Sequence, residues 1–313
     1  MKVLVTGGAG FIGSNFVEMA LSGHFPAISG IVVLDKLTYA GKLSNLSFAF
    51  NHPNFEFIQG DICDSEIVAT AISGVDAIIN FAAESHVDRS INDSYEFIRT
   101  NVLGTHVLLE AARQKGVSRF VQISTDEVYG SIDAGSWDEN APLLPNSPYS
   151  ASKAAADLLV RSYFVTHGVH VNITRCSNNF GPRQDHEKLI PNFISKIRRN
   201  SKVSLYGDGL NVRDWLYVDD HCQAIYLVLT KGVPGEIYNI GGGLECTNLF
   251  LTHKLLELTN SDLNLIEFIT DRLGHDLRYS VNFAKVRALG YEPRTDFNLK
   301  LQQTIDWYLN FNA

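Results

Sequence analysis

Val3-Leu4-Val5-Thr6-Gly7-Gly8-Ala9-Gly10-Phe11-Ile12-Gly13 stands near the head of the chain, and its reading decides the fold. Three β-branched or apolar residues suit a strand buried on both faces. Glycines at 7, 10 and 13 follow at once, in a GxxGxxG spacing. Such a turn lets the backbone approach a pyrophosphate, while the next helix points its N-terminal amides at the negative charge. A second buried run, Ile31-Val32-Val33-Leu34, ends in Asp35. That carboxylate lies about 22 residues beyond Gly13, near the spacing of roughly 20 expected for the acid that binds an adenine ribose. An acid there favours NAD over NADP, because it would repel a 2′-phosphate. Strand, glycine turn, helix, strand and acid together predict a parallel, dinucleotide-binding α/β sheet.

Further along, Phe55-Glu56-Phe57-Ile58 and Ala77-Ile78-Ile79-Asn80-Phe81 read as the third and fourth strands. Asp61, just past the third, is placed either to accept a bond from an adenine amino group or to cap a helix starting near Asp64. After the fourth comes a dense polar loop, Ala82-Ala83-Glu84-Ser85-His86-Val87-Asp88-Arg89-Ser90. Its small residues would let a cofactor lie against the backbone. His86 and Asp88 lack an evident third ligand, so hydrogen bonding suits them better than a metal. A helical pattern covers about 95–115, with Thr100 and Asn101 placed to face the cofactor.

The fifth strand, Arg119 to Ile123, delivers Ser124-Thr125-Asp126-Glu127-Val128-Tyr129-Gly130. In an open α/β sheet, ligands sit at the carboxyl ends of the strands. Two adjacent carboxylates there repel each other and lose water, so they ask for a chemical reason. Farther on, Tyr149-Ser150-Ala151-Ser152-Lys153 begins an alanine-rich helix, and four residues of spacing put Tyr149 and Lys153 on one face. A phenol is a poor base at neutral pH. A nearby ammonium and a positive nicotinamide ring would favour the phenolate and make the pair a proton-transfer device for hydride chemistry on an alcohol.

The second half is less regular. A sixth strand is read at Val171 to Arg175 and a helix opens at Lys188-Leu189-Ile190-Pro191. A strand-like segment spans Val212 to Val218, Asp219-Asp220 caps an apolar helix through Leu229, and a late strand covers Ile237 to Ile240. No linker or repeat separates two lobes, so any lobes are interleaved in sequence. The boundaries expected are 1–177 plus about 208–246 for the NAD-binding domain, and about 178–207 plus 247–313 for a second lobe.

The totals bound the function. The chain has 313 residues, 45% hydrophobic and 19% charged, with a formal net charge of −8. Lys and Arg are spread rather than clustered, which argues against nucleic acid and against a polybasic membrane anchor. Cys63, Cys176, Cys222 and Cys246 lie far apart with no CxxC pair, so zinc-site spacing is absent and reduced thiols are expected. No secretory apolar region or membrane-length run is present, and a soluble cytoplasmic protein without metal is the expectation.

These residues resemble the extended short-chain dehydrogenase/reductase superfamily. Within it, Asp35-Lys36-Leu37-Thr38-Tyr39-Ala40-Gly41, the 82–90 loop, Thr125-Asp126-Glu127-Val128-Tyr129-Gly130, Glu187-Lys188-Leu189-Ile190-Pro191 and Thr270-Asp271-Arg272-Leu273-Gly274-His275-Asp276 resemble the dTDP-glucose 4,6-dehydratase family, over nearly the whole chain. The resemblance implies a Rossmann-type doubly wound parallel sheet with a smaller, sequence-interleaved C-terminal substrate-binding lobe. It implies a lyase of nucleotide-sugar metabolism and deoxysugar biosynthesis, holding NAD tightly and regenerating it each turnover. Thr125, Asp126, Glu127, Tyr149 and Lys153 would be catalytic.

By the same resemblance, Gly7, Gly10, Phe11, Ile12, Gly13, Asp35, Lys36, Leu37, Thr38, Asp61, Ile62, Phe81, Ala82, Ala83, Ser85, Thr100, Tyr149, Lys153 and Asn179 would hold the cofactor. Ser85, Thr125, Asn178, Lys188, Leu189, Tyr206, Arg213, Asn248, Asp271, Arg272 and His275 would hold dTDP-glucose, with Arg213 and Arg272 offering fork-shaped donors to a diphosphate. The family more often carries Pro where Leu273 stands, a change in loop stiffness beside that segment. Helices near 95–115 and 149–166 are expected to pair across a homodimer in a four-helix bundle. Enzymes of the same chemistry on UDP- or GDP-linked hexoses, and nucleotide-sugar 4-epimerases, remain alternatives; the epimerases usually lack the acidic pair.

Overall fold

The computed structural model describes residues 1–271, 274–293 and 296–310. In chain order the strands are β1 (Lys2–Thr6), β2 (Gly30–Asp35), β3 (Phe55–Gln59), β4 (Ala77–Asn80), β5 (Arg119–Thr125), β6 (Val171–Cys176), β7 (Asn178–Phe180), β8 (Val203–Tyr206), β9 (Val212–Tyr217), β10 (Ile237–Ile240), β11 (Glu245–Thr247) and β12 (Ile266–Ile269). Seven of them form one parallel sheet in the order β10-β6-β5-β4-β1-β2-β3. The apolar runs read as strands are the buried ones, with Val3, Leu4, Val5, Ile31, Val33 and Ile79 wholly sequestered. Burying each such side chain contributes about 1.5–3 kcal/mol.

Helices cover both faces. On one face, Phe16 and Val17 of the Phe11–Leu21 helix and Ile225 of the Val218–Lys231 helix share a core with Val3, Val5 and Val33. On the other, Val68, Leu108 and Val160 from the Ser65–Ala71, Thr105–Lys115 and Pro148–His167 helices pack on Leu4, Val32 and Ile78. Alternate residues of each strand thus feed opposite cores. The sheet is doubly wound, and its strand order reverses between β1 and β4.

The Pro148–His167 helix begins where its sequence says it must. Ser147 and Ser150 form a reciprocal capping box, and Pro148 takes the first helical position. Gly168 ends it in the left-handed conformation. The pattern read as one helix over 95–115 is interrupted: Ile98–Gly104 is a π-helical segment leading into Thr105–Lys115. Asn101, expected to face the cofactor, is buried inside that segment instead. Its amide bonds both backbone groups of Glu84 and the Ser152 hydroxyl. Asp219 and Asp220 do not cap their helix either; Tyr217 is the capping position and the two acids occupy the first turn, where the helix dipole favours them.

Outside the main sheet, β7, β9 and β11 form a three-stranded sheet and β8 pairs with β12. From the 208–246 stretch, β10 and the Val218–Lys231 helix join the main layers, whereas β9 and β11 do not. No helix among the described residues is long and apolar enough to cross a membrane.

Candidate active site

The glycine turn needs its glycines for space. Gly7 has φ of +67°, and a Cβ there would lie 2.7 Å from the Ala82 nitrogen; a Cβ on Gly13 would lie 2.4 Å from the Gly7 carbonyl. No side chain caps the Phe11–Leu21 helix, so its first amides remain available to an anion. Asp35 closes the turn from β2: its carboxylate accepts the amides of Ala9 and Leu37, each at 2.8 Å. Burial raises its pKa and those two bonds lower it. Any ribose contact by Asp35 is therefore shared with bracing the loop. Leu37 sits in the left-handed region at φ of 59° and packs on the core.

A cleft of about 290 Å³ runs along the carboxyl ends of β1, β2, β4, β5 and β6. All the cofactor residues named above line it except Leu37. Asp61, left open between two roles, does not cap the helix; Asp64 does. Burial would raise the Asp61 carboxyl, but the Cys63 amide, Lys36 and Arg99 outweigh it and hold it down at about 2.

The opposite wall carries Thr125, Asp126, Glu127, Tyr149 and Lys153, all lining the same cleft. Thr125 ends β5 and caps a single turn, Asp126–Tyr129, by accepting the Glu127 amide at 3.2 Å. The Tyr149 hydroxyl faces the Thr125 side chain, so both reach one point. Asp126 is 3% exposed. One of its oxygens takes a 3.3 Å bond from the Thr125 hydroxyl, and the other has no partner among the described residues. Burial, then the charges of Glu127 and Asp214, push its carboxyl well above the usual range, against Arg213 and Thr125.

The depression expected of Tyr149 is not found. Burial first, then Glu127, Cys176 and Asp126, push the phenol well above its ordinary value, and Lys153 is not among the leading influences. The Lys153 ammonium donates to the Ile123 carbonyl at 2.6 Å.

Three loops are tied together over the cleft. The Arg89 guanidinium lies 4.1 Å above the Tyr39 ring and grips Glu187 with two bonds. Lys188 donates to the Ser85 carbonyl at 2.7 Å, and His86 approaches Glu187 at 3.4 Å. Of the substrate residues expected, Ser85, Thr125, Asn178 and Lys188 line the cleft. Leu189 begins the Leu189–Arg198 helix and packs on the core. Tyr206, Arg213, Asn248, Asp271 and His275 lie outside the cleft lining. There His275 bonds Asp271 at 2.6 Å and its ring stands 6.0 Å from that of Tyr206. Asn248 opens the Asn248–Leu258 helix. The guanidinium of Arg213 is stacked on Tyr279 and donates to the carbonyls of Val212, Asp276 and Leu277, so a diphosphate would have to share it. Arg272 and Leu273 lie outside the described residues.

The cleft also holds residues the sequence reading missed, among them Cys176, Ser177, Gln184 and Asp185. Cys176 was recoverable, since it follows the sixth strand directly. The polar stretch after Arg183 carried no such signal.

A family profile described as GDP-mannose 4,6 dehydratase matches residues 4–304. A dTDP-glucose 4,6-dehydratase of Streptomyces antibioticus is 53% identical, covering all of this chain and 94% of that one. DesIV, a dTDP-glucose 4,6-dehydratase from Streptomyces venezuelae solved with NAD and dTDP bound, is 53% identical with a TM-score of 0.97, over 99% of this chain and 97% of that one. The UDP-glucose 4-epimerase of Thermus thermophilus, solved with NAD, superposes with a TM-score of 0.90 at 32% identity, over 99% of both chains.

Proposed function

The chain belongs to the dTDP-glucose 4,6-dehydratases, and from that premise we infer that it converts dTDP-glucose to dTDP-4-keto-6-deoxy-glucose and water as an NAD-dependent hydro-lyase. The observation that carries this reading is Asp126: a buried acid with one oxygen unpartnered among the described residues, beside a second carboxylate in the cofactor cleft. The glycine cradle, the uncapped helix and the lining from Asp35 to Asn179 fit a dinucleotide. When bound, NAD supplies the acceptor of the C4 hydride and the donor that returns it to C6.

The side chains do the proton work. Tyr149 takes the proton of the sugar 4-hydroxyl, and Thr125, in contact with it, hydrogen-bonds the same oxygen. The 4-ketone so formed acidifies C5–H. Glu127 takes that proton, and Asp126, whose raised pKa keeps a proton to give, protonates the departing 6-hydroxyl. Hydride addition at C6 and reprotonation of C5 complete the product.

Lys188, a cation lining the cleft, supports a diphosphate-linked sugar. The interleaved lobes, 1–177 plus about 208–246 and about 178–207 plus 247–313, are supported by the return of the chain to the main sheet at β10. A cytoplasmic homodimer through the 98–115 and 148–167 helices is supported by Leu103, Leu158 and Val165, large apolar residues exposed on them.

The test is incubation with dTDP-glucose while following the alkali-dependent absorbance of a 4-keto sugar. Its appearance is expected; dTDP-galactose with no keto product would mean an epimerase. A thermal-shift panel of dTDP, UDP, CDP and GDP should favour dTDP, and stronger stabilisation by UDP or GDP would overturn the base assignment.

A further inference from the structure

Behind the proton-transfer pair lies a buried group of charges that none of the steps above uses. Asp157 is one turn beyond Lys153 on the Pro148–His167 helix, hence on the same face. It is 1% exposed. Arg175 of β6, equally sequestered, donates from Nε to Asp157 at 2.9 Å and from Nη1 to the Tyr129 hydroxyl at 2.8 Å. Tyr129 in turn donates to Asn239 of β10 at 2.8 Å, which anchors the group to the sheet edge. The other Asp157 oxygen faces the Ser124 hydroxyl. Both atoms are buried and without a hydrogen-bond partner among the described residues.

Lys153 has a problem this group answers. Its ammonium is buried against a neutral carbonyl, which satisfies a donor without balancing a charge. A cationic nicotinamide in the same cleft would disfavour it further. The charged and titratable groups around it are few. Asp157 and Tyr149 share its helix, Cys176 faces it from β6, and Asp126 and Glu127 act on Tyr149 from the end of β5. We propose that Asp157 is a positioning residue of the oxidation step: its carboxylate is the counter-charge that keeps Lys153 an ammonium beside Tyr149, and Arg175 holds that carboxylate in place. Burial pulls Lys153 down, and Asp157 is foremost among the groups that oppose it. The inference rests on the reading of Tyr149 as proton acceptor.

The experiment is the pH profile of NADH absorbance in a single turnover with dTDP-glucose, on NAD-loaded protein. In D157N the acid limb should move up by about one pH unit, a roughly tenfold slower oxidation below the limb that recovers at higher pH. KM should change less than kcat. The double variant D157N/R175Q also removes the Arg175 charge that D157N alone would leave without its partner. It should shift the same way by less, and it carries the test where D157N does not fold. An unmoved limb, with the rate lowered evenly or only the melting temperature changed, would reduce Asp157 to a packing brace and overturn the proposal. Y149F separates the premise from the inference. If Y149F still gives an NADH signal, the proton-acceptor reading falls and this inference with it. If Y149F is silent and the D157N limb is unmoved, the inference alone fails.

Discussion

At the scale of single residues, the division of labour between Asp126 and Glu127 follows from their surroundings. Both are carboxylates at the end of one strand, but Asp126 is sealed in and held in its acid form while Glu127 faces the cleft. D126N/E127Q should therefore leave the first step intact. Adding dTDP-glucose should still raise the 340 nm absorbance of the bound cofactor, while release of 4-keto product falls by at least about 10²-fold. Near-normal turnover in that variant would remove both residues from the elimination. The adjacency of the two acids was legible in the chain, because like charges side by side at a strand end betray themselves. The inaccessible partners were not. Arg175 and Asp157 meet only when β6 lies beside the helix, and Asn101 looked like a cofactor contact until the π segment turned it inward.

At the scale of elements, the strand-turn-helix unit at the N-terminus was readable almost to the residue, since short apolar runs and glycines encode it locally. What failed were features set by contact between elements. The helix read over 95–115 contains a π segment where Gly104 lies against Ile62, so close that a Cβ would come within 2.4 Å of its side chain. Asp219 and Asp220 suit a helix start, yet the helix begins at Val218, two residues earlier than a cap at Asp219 would allow. The glycine turn itself can be tested. G7A combines a left-handed backbone, unfavourable by about 1–2 kcal/mol for a residue with a Cβ, with a collision against the Ala82 backbone. The purified variant should keep its far-ultraviolet circular dichroism, lose most of its bound NAD by absorbance ratio, and melt lower than the parent. Full NAD content would show that the turn relaxes.

At the scale of the whole molecule, the exposed side chains Leu103, Leu158 and Val165 are out of place on a solvated helix face. L158E or V165E should halve the mass seen by light scattering if this face joins two copies. In a monomer such surface changes would leave mass unchanged and stability within about 0.5 kcal/mol. The order of the strands has a consequence for synthesis on the ribosome. β6 is buried along its whole length, and its outer neighbour is β10. About 60 residues separate their carboxyl ends, several seconds of translation at roughly 5–20 residues per second. Through that interval a nascent chain carries a sticky, unpaired edge next to Thr125-Asp126-Glu127. Only β10 of the seven strands is then missing, and a ribosome stalled within this window would display an aggregation-prone six-stranded sheet rather than an idle enzyme.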